Sequence, residues 1–183
     1  PNTWTVGSPG TASKAISVGA STPPMEIPLL SINGGREKFR LHPVQGDKRW
    51  DMNRSYPIRF AGLGKKKEVK KTAGSIALIE SGGMTLVEKV KNAKKAGAVG
   101  VIIYNNTDGE FFGYMEEDLD IPVSFMNKKE GEQLRKQVET ADVFGRIEKV
   151  EEKDRLAPFS SRGPVTASWE IKPDVVAPGV SIV

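Results

Sequence analysis

The two ends of the chain carry the same pattern, a loop rich in Gly and Pro joined to a short run of β-branched residues. Near the start, TVGSPGT at residues 5–11 precedes AISVGA at 15–20. Near the end, FSSRGP at 159–164 precedes IKPDVVAPGV at 171–180. This pattern is typical of a loop leading into a buried strand. Neither end has enough apolar residues to close a core alone, so we expect two edges of one larger domain with another unit inserted between them.

The centre of the chain predicts a strand, a helix and a second strand. Ser75–Ile79 and Val99–Tyr104 are short apolar runs, which is typical of strands buried on both faces. Between them, Thr85 and Glu88 have the spacing of a capping box, and Gly97 suits the left-handed residue that ends a helix. The lysines of this helix, including Lys89, are expected on its solvent side, opposite Leu86, Val87, Val90 and Ala93.

Further elements are expected on both sides of this unit. Asn33-Gly34-Gly35 lies between two apolar runs and predicts a hairpin, because these residues tolerate positive φ. Residues 42–55 are expected to form a polar loop, and Tyr56–Gly62 a short edge strand, since Pro57 lacks the N–H that a ladder needs. The remaining expectations are a strand at Ile121–Met126, a helix capped by Asn127 with Glu130, a strand at Val143–Val150 and a polar exit linker at Glu151–Arg155.

Composition excludes several classes of protein. The 183 residues, 38% hydrophobic and 27% charged, fit one medium domain plus fragments. No run of roughly 18 or more apolar residues is present, so no membrane span is expected. The chain has no cysteine, and it starts at Pro1 without a signal-peptide pattern, so any targeting segment is expected elsewhere.

The basic charge alone does not indicate a nucleic-acid partner. The formal net charge is +4, and lysines cluster at residues 65–71 and 89–95. Nucleic-acid binders usually add Arg-rich or aromatic readout to such a face, and that is missing here. We therefore expect solvated lysines and no nucleic-acid partner.

Both ends resemble the subtilisin-like serine proteases, on the motifs quoted above. TVGSPG with AISVGA is similar to the segment after that family's oxyanion-hole asparagine, and FSSRGP with IKPDVVAPGVSI to the stretch before its nucleophile motif. The resemblance implies a parent enzyme that hydrolyses peptide bonds outside the cell or at its surface. It also implies two partners for this chain, polypeptide substrates and the rest of the parent catalytic domain.

The middle resembles the protease-associated (PA) domain. The resemblance rests on GSIALIESGGMTLVEKVKNAKKAGAVGVIIYNN at 74–106 and IPVSFMNKKEGEQL at 121–134. It implies an α/β (α+β) fold with a mixed sheet and flanking helices. The domains expected are then an edge of the catalytic domain at 1–21, an inserted PA domain at 22–157 and the continuation of the catalytic domain at 158–183. Glu80-Ser81-Gly82 departs from the aromatic or arginine–glycine pair that often follows the first central strand in the family.

No catalytic residue is expected within the chain. A serine-protease triad needs a histidine base beside the hydroxyl and a carboxylate that orients it. The only histidine, His42, does not match the family's catalytic motif and is expected to be a surface or loop residue. Ser160 and Ser161 resemble a loop pair that precedes the nucleophile, so the catalytic Asp, His and Ser are expected outside this chain.

Two places are candidates for contact with a polypeptide. By resemblance, Gly7, Ser8 and Pro9 match one wall of the pocket for the side chain before the scissile bond, although a turn that merely ends a strand stays an equal alternative. The second place is a surface after the second central strand, where aromatic side chains follow two asparagines. Its members are Asn105, Asn106, Phe111, Phe112 and Tyr114.

The chain has no recognised motif for a metal or a phosphate. Glu116–Asp120 lacks the regular spacing of a calcium loop, and Ser81-Gly82-Gly83, which could offer backbone amides to an anion, lacks the known phosphate-binding forms. We expect no metal or cofactor in this chain, with calcium left open for the parent. Two functions compete, an accessory domain that gates or positions substrate for a secreted endopeptidase and a stand-alone peptide-binding module. The protease-like ends favour the first.

Overall fold

The computed structural model describes residues 4–22, 24–44, 49–51, 53–109, 117, 119–152, 156–157, 159–166 and 168–179. The chain divides into two compact units, one made of Ile27–Val150 and the other of Pro1–Glu26 with Glu151–Val183. We call the first the central unit and the second the terminal unit.

Strands and helices alternate along the centre of the chain. The strands are β1 (Val18–Ser21), β2 (Met25–Ile32), β3 (Glu37–Arg40), β4 (His42–Pro43), β5 (Ser55–Phe60), β6 (Ile76–Glu80), β7 (Gly100–Tyr104), β8 (Val123–Met126), β9 (Phe144–Glu152) and β10 (Val175–Pro178). Helix α1 covers Leu86–Lys95, helix α2 covers Lys128–Thr140, and short 3-10 turns cover Asn33–Gly35 and Val69–Lys71.

The terminal unit holds the first and last segments of the chain side by side. Strand β1 pairs in parallel with β10, with Val18 opposite Val175. The buried Lys172 adds a second link, because its Nζ donates to the Ala15 carbonyl at 3.1 Å and lies 2.8 Å from the Asp174 carboxylate. The two protease-like ends are therefore parts of one small sheet.

The central unit is built on a mixed sheet in the order β3-β2-β9-β5-β6-β7-β8-β4. Strands β5, β6, β7 and β8 are parallel to one another, while β9 against β5, β3 against β2 and β4 against β8 are antiparallel. The predicted fold, a mixed sheet with flanking helices, is confirmed.

The parallel strands are buried on both faces because each face is covered by a different helix. One face packs against α1 and includes Ala77, Ile79, Val101 and Ile103 with Val90 and Ala93 of the helix. The other face packs against α2 and includes Leu78, Ile102 and Met126 with Leu134 and Val138 of the helix. This explains why β6 and β7 have continuous apolar sequences rather than alternating ones.

Local sequence signals account for the ends of both helices. Thr85 and Glu88 form the predicted capping box of α1, and Gly97 follows that helix with φ of +85°. The Asn127 side chain accepts a hydrogen bond from the backbone N–H of Glu130 at 2.8 Å and so caps α2. The predicted hairpin is also confirmed, since β2 and β3 pair around a turn at Asn33–Gly35.

The prediction of an edge strand at Tyr56–Gly62 is wrong, because β5 lies inside the sheet between β9 and β6. The strand changes partners along its length. Ser55–Pro57 pairs with β9, and Ile58–Phe60 pairs with β6. The Ile58 N–H donates to the Val143 carbonyl on the β9 side. Successive backbone nitrogens of a strand point to opposite sides, so the nitrogen of Pro57 points to the β6 side. The pairing with β6 begins only after it, at Ile58. The proline therefore removes no bond from the ladder.

Two expectations for residues 42–55 also need correction. His42 does not lie in a surface loop but in strand β4, half-buried, where it pairs with Phe125 of β8. Trp50 is half-buried as well, and its indole N–H donates to the hydroxyl of the fully buried Ser124 at 2.9 Å. The segment looked polar because few apolar residues anchor it, yet two of its side chains pack on the sheet.

Replacement of Ile102 by Ala tests the burial of β7. Ile102 is fully buried, so the substitution should lower the free energy of unfolding by about 2–5 kcal/mol. The matched control is Lys95→Ala on the exposed side of α1, which should change it by less than about 0.5 kcal/mol. Urea unfolding measures both, and equal midpoints would contradict the two-sided burial.

Candidate functional site

The parallel strands end together at one edge of the sheet, which we call the carboxyl edge. Strands β6, β7 and β8 end at Glu80, Tyr104 and Met126. Hydrogen bonds continue one residue further, because the N–H of Ser81 donates to the Tyr104 carbonyl at 2.9 Å and that of Asn105 to the Met126 carbonyl at 3.0 Å. In open sheets of this kind, ligands bind outside the carboxyl ends of the strands.

Ser81 and the two asparagines form a polar cluster at the carboxyl edge. The hydroxyl of Ser81 donates to Asn106 Oδ1 at 2.9 Å and accepts from the Asn106 N–H at 2.9 Å. Asn105 Oδ1 accepts from the N–H and the hydroxyl of Thr107 at 3.4 and 3.3 Å. Ser81 and Asn105 are buried and Asn106 is exposed, so the first two shape the turn and the third presents its side chain to solvent.

The turn after β6 is closely packed around two glycines. Gly82 and Gly83 have φ of +86° and +74°, and an added Cβ at Gly82 would lie 2.9 Å from Asn106 Nδ2. The turn leads into α1, where the Glu88 carboxylate accepts hydrogen bonds from the N–H and hydroxyl of Thr85 at 3.2 and 2.9 Å. These bonds lower the pKa of Glu88. The chain's own carboxylate thus lies at the helix terminus where a bound anion had been considered.

Lys89 corrects the predicted orientation of the lysines. It is fully buried, and its Nζ donates to the Leu63 carbonyl at 2.6 Å and to the Glu80 carbonyl at 2.8 Å. Burial lowers the pKa of Lys89, although the charges of Glu68 and Glu80 oppose that shift. The ammonium therefore ties the loop after β5 to the end of β6, directly before Ser81.

The sequence contains a signal for this burial that apolar residues alone do not reveal. Leu86, Lys89, Val90 and Ala93 have the i, i+3, i+4, i+7 spacing of one helix face. Gly64 leaves the space for the lysine stem, since an added Cβ there would lie 3.1 Å from Lys89 Cβ. A lysine at a core position can stay charged where carbonyl groups accept hydrogen bonds from its ammonium group.

A second cluster lies on the α2 side of the same edge. The Tyr104 hydroxyl donates to Glu80 Oε2 at 2.9 Å, and Arg135 Nη1 lies 3.5 Å from the same oxygen. The guanidinium carbon of Arg135 is also 4.4 Å from the centre of the Phe60 ring. Burial, with a further contribution from Glu80, raises the pKa of Tyr104 to about 12, so the phenol is a neutral donor at physiological pH.

The other predicted contact residues are in two places. Gly7, Ser8 and Pro9 form an exposed turn in the terminal unit, with a cis Ser8–Pro9 peptide. Phe111, Phe112 and Tyr114 lie outside the described residues. The structure therefore brings Asn105 and Asn106 together with Ser81, which had not been assigned to this surface.

The acidic loop before β8 pairs with helix α1 where it is described. Glu117 lies 2.6 Å from Lys91 Nζ, and Asp120 lies 3.5 Å from Lys94 Nζ. Among the described residues no group of three or more His, Cys, Asp and Glu is arranged to hold a metal ion. No helix in the described ranges is long and apolar enough to cross a bilayer.

A PA domain model matches residues 45–134. The chain is 38% identical along its whole length to the minor extracellular protease Vpr of Bacillus subtilis, of which it covers 23%. It is 28% identical to the subtilisin-like protease SBT1.3 of Arabidopsis thaliana, over 91% of this chain and 24% of that protein. The chain thus spans about a quarter of the length of these relatives.

A solved structure shows the same fold in a different kind of protein. A zinc aminopeptidase from Bacillus subtilis matches 74% of this chain and 33% of its own, with 29% identity and a TM-score of 0.58. The matched proteins thus include both a zinc aminopeptidase and subtilisin-like proteases, so the shared fold does not specify one type of catalytic chemistry.

Replacement of Lys89 by Met tests the buried ammonium. Methionine keeps the bulk but leaves two carbonyls without a donor, so we expect a loss of about 1–3 kcal/mol for each unsatisfied group. Lys95→Met at the exposed end of α1 is the control and should have little effect. Urea unfolding measures stability, and hydrogen exchange should accelerate at Ser81 in the first variant alone. Equal stability of the two variants would contradict the role of Lys89.

The stability difference between the wild type and Lys89→Met should depend on pH with a definite sign. Because the pKa of Lys89 is lowered in the folded state, the unfolded chain binds more protons between that lowered pKa and the ordinary value of 10.5. The stability of the wild type relative to Lys89→Met should therefore rise with pH in this window and stay constant below it. Thermal unfolding in matched buffers measures the difference, and a fall with rising pH would contradict a lowered pKa.

Proposed function

We propose that this chain is part of a secreted subtilisin-like serine endopeptidase, and that its PA domain positions polypeptide substrates for that enzyme. In this proposal the domain is an insertion, residues 22–157, in a catalytic domain whose edges are residues 1–21 and 158–183. The chain itself supplies no catalytic group. Its partners are the rest of the catalytic domain and the polypeptide that it cleaves outside the cell or at its surface.

The parallel pairing of β1 with β10 carries the proposal. These strands come from opposite ends of the chain and form one sheet, as expected when a domain is interrupted by an insertion. The sheet has exposed apolar residues, namely Val18, Val175 and Val176 at 59%, 50% and 52% exposure. Exposed apolar surface of this kind marks a missing partner. The remaining strands of a catalytic domain would supply one.

The side chains of the described residues also support a role other than catalysis. His42, the only histidine, is in β4. The Ser160 hydroxyl is buried and accepts the Ala20 N–H at 3.0 Å, so it holds β1 in place. A nucleophilic serine instead needs a histidine within hydrogen-bond reach. The triad would come from the rest of the parent protein.

Two surfaces are proposed to meet the substrate. The exposed turn at Gly7, Ser8 and Pro9 would form one wall of the pocket for the side chain before the scissile bond, as in the protease family. Asn106 at the carboxyl edge, with the segment that follows it, would contact the polypeptide further from the cleaved bond. A side-chain amide can donate to and accept from an extended backbone, which suits a contact that does not depend on sequence.

Deletion of residues 25–155 from the intact protease tests the proposal. Removal should be tolerated locally, because Ser21 and Leu156 are bridge partners and a short Gly-Ser linker can join the two sides. The insertion contributes positioning rather than chemistry, so kcat/KM for a folded protein substrate should change at least about tenfold more than kcat/KM for a tetrapeptide anilide.

The two substrates control for each other. A deletion variant that loses both activities equally would indicate that the insertion only stabilises the catalytic domain. Equal and unchanged activities would indicate that it takes no part in substrate selection. The chain by itself, repurified and assayed on both substrates, should show no hydrolysis above a buffer blank.

A further inference from the structure

A small cavity lies at the opposite edge of the sheet, where the parallel strands begin. Its volume is about 240 Å³, and its lining comes from the segment before β5, the end of α1 and the turn before β8. The apolar part of this lining consists of Trp50, Tyr56, Ala98, Val99, Ile121 and Pro122. It belongs wholly to the central unit and is separate from the carboxyl edge.

The aromatic wall of the cavity is held rigidly. The hydrogen bond from the Trp50 indole to the buried Ser124 fixes one end of the ring. The face of the ring packs closely on Gly100, where an added Cβ would overlap the Trp50 ring. The Tyr56 hydroxyl donates to Asp51 Oδ2 at 3.0 Å and is held as well. A ligand would therefore meet a preformed wall and would not have to order it.

The charged side chains at the rim bond to other described residues of the chain, with one exception. Asp51 accepts hydrogen bonds from the Asn53 N–H and the Tyr56 hydroxyl, which lower its pKa. Lys94 donates to the Leu119 carbonyl at 2.7 Å and lies near Asp120. Arg49, which also lines the cavity and is exposed, forms no hydrogen bond or ion pair with any described residue.

We propose that this cavity binds the free carboxyl terminus of a polypeptide whose last residue is apolar. The volume suits one side chain, being smaller than the roughly 300–1,000 Å³ typical of drug-sized ligands. The aromatic and aliphatic lining favours an apolar side chain, and the unoccupied guanidinium of Arg49 favours a carboxylate beside it. Both features meet on one ligand at the end of a peptide, where a side chain and a carboxylate share the same Cα.

The proposal does not depend on the proposed function, because it concerns a different edge of the sheet and a different ligand group. An interior peptide segment would offer the side chain without the carboxylate. The site therefore distinguishes an end of a chain from its interior, which a surface that holds extended substrate does not do.

Binding of two matched peptides to the 183-residue chain tests the inference. The probes are acetyl-Ala-Ala-Leu with a free carboxylate and the same peptide as its C-terminal amide. The acid should bind about tenfold more tightly, since a charge-assisted pair with Arg49 is lost in the amide. Isothermal titration gives the affinities, and the 15N-resolved indole signal of Trp50 should shift and so report the location.

Variants separate the two parts of the site. Arg49→Gln should remove the preference for acid over amide without changing the melting temperature, because Arg49 is exposed and bonds to none of the described residues. Ala98→Phe, which fills the cavity, should abolish the shift of the Trp50 signal with either peptide. Lys95→Gln is the control for general charge and should bind both peptides as the wild type does.

Four results would overturn the proposal in whole or in part. The first is equal affinity of the wild type for acid and amide, and the second is an unchanged preference in Arg49→Gln. The third is the absence of any shift of the Trp50 signal at millimolar acid. Acetyl-Ala-Ala-Asp acid should bind at least about tenfold more weakly than the leucine peptide, and equal binding would overturn the apolar part.

Discussion

The burial of the parallel strands on both faces is the constraint on which the central unit depends. Strands β6 and β7 are apolar at nearly every position, so neither face of the sheet can be left in water. The chain meets this requirement by placing α1 on one face and α2 on the other. Polar chemistry is then confined to the two edges of the sheet, where the strands begin and end.

The two edges differ because of how the chain passes through them. At the carboxyl edge, tight turns follow the strands. The side chain of Ser81 bonds to the neighbouring loop after β7, and that of Asn105 bonds within that loop. At the other edge, residues distant in sequence come together around a cavity, where Arg49 forms no ion pair with any residue that the structure describes. The first edge is suited to shape a loop and the second to receive a small group.

Much of the fold could be predicted from the sequence because its signals are local. The capping box at Thr85 and Glu88, the turn at Asn33–Gly35 and the apolar runs of β6 and β7 each specify an element without distant information. The failures concern partners. Pro57 indicated an edge strand because only the pairing on both sides shows where its missing N–H falls. Lys89 looked solvated because its carbonyl acceptors, Leu63 and Glu80, belong to other segments of the chain, the loop after β5 and the end of β6.

The candidate sites also divide into one that local sequence signals predict and one that depends on distant residues. The asparagines after β7 could be found from the sequence, since residues after a buried strand emerge at the sheet edge. The cavity beside Trp50 could not, because its lining joins residues 49–51 and 56, residues 94, 98 and 99, and residues 120–122, and no spacing within one segment shows that they meet.

Because β1 and β10 come from opposite ends of the chain, the stability of their pairing also depends on whether the central unit is folded. Strand β2 opens the central unit and β9 closes it, and they are neighbours in its sheet, so the folded unit acts as a short connection between β1 and β10. If that unit unfolds, the same pairing must close a loop about five times longer, at an entropic cost of about 1.5 kcal/mol. A mutation deep in the central unit can therefore weaken the pairing of β1 with β10 without contacting either strand.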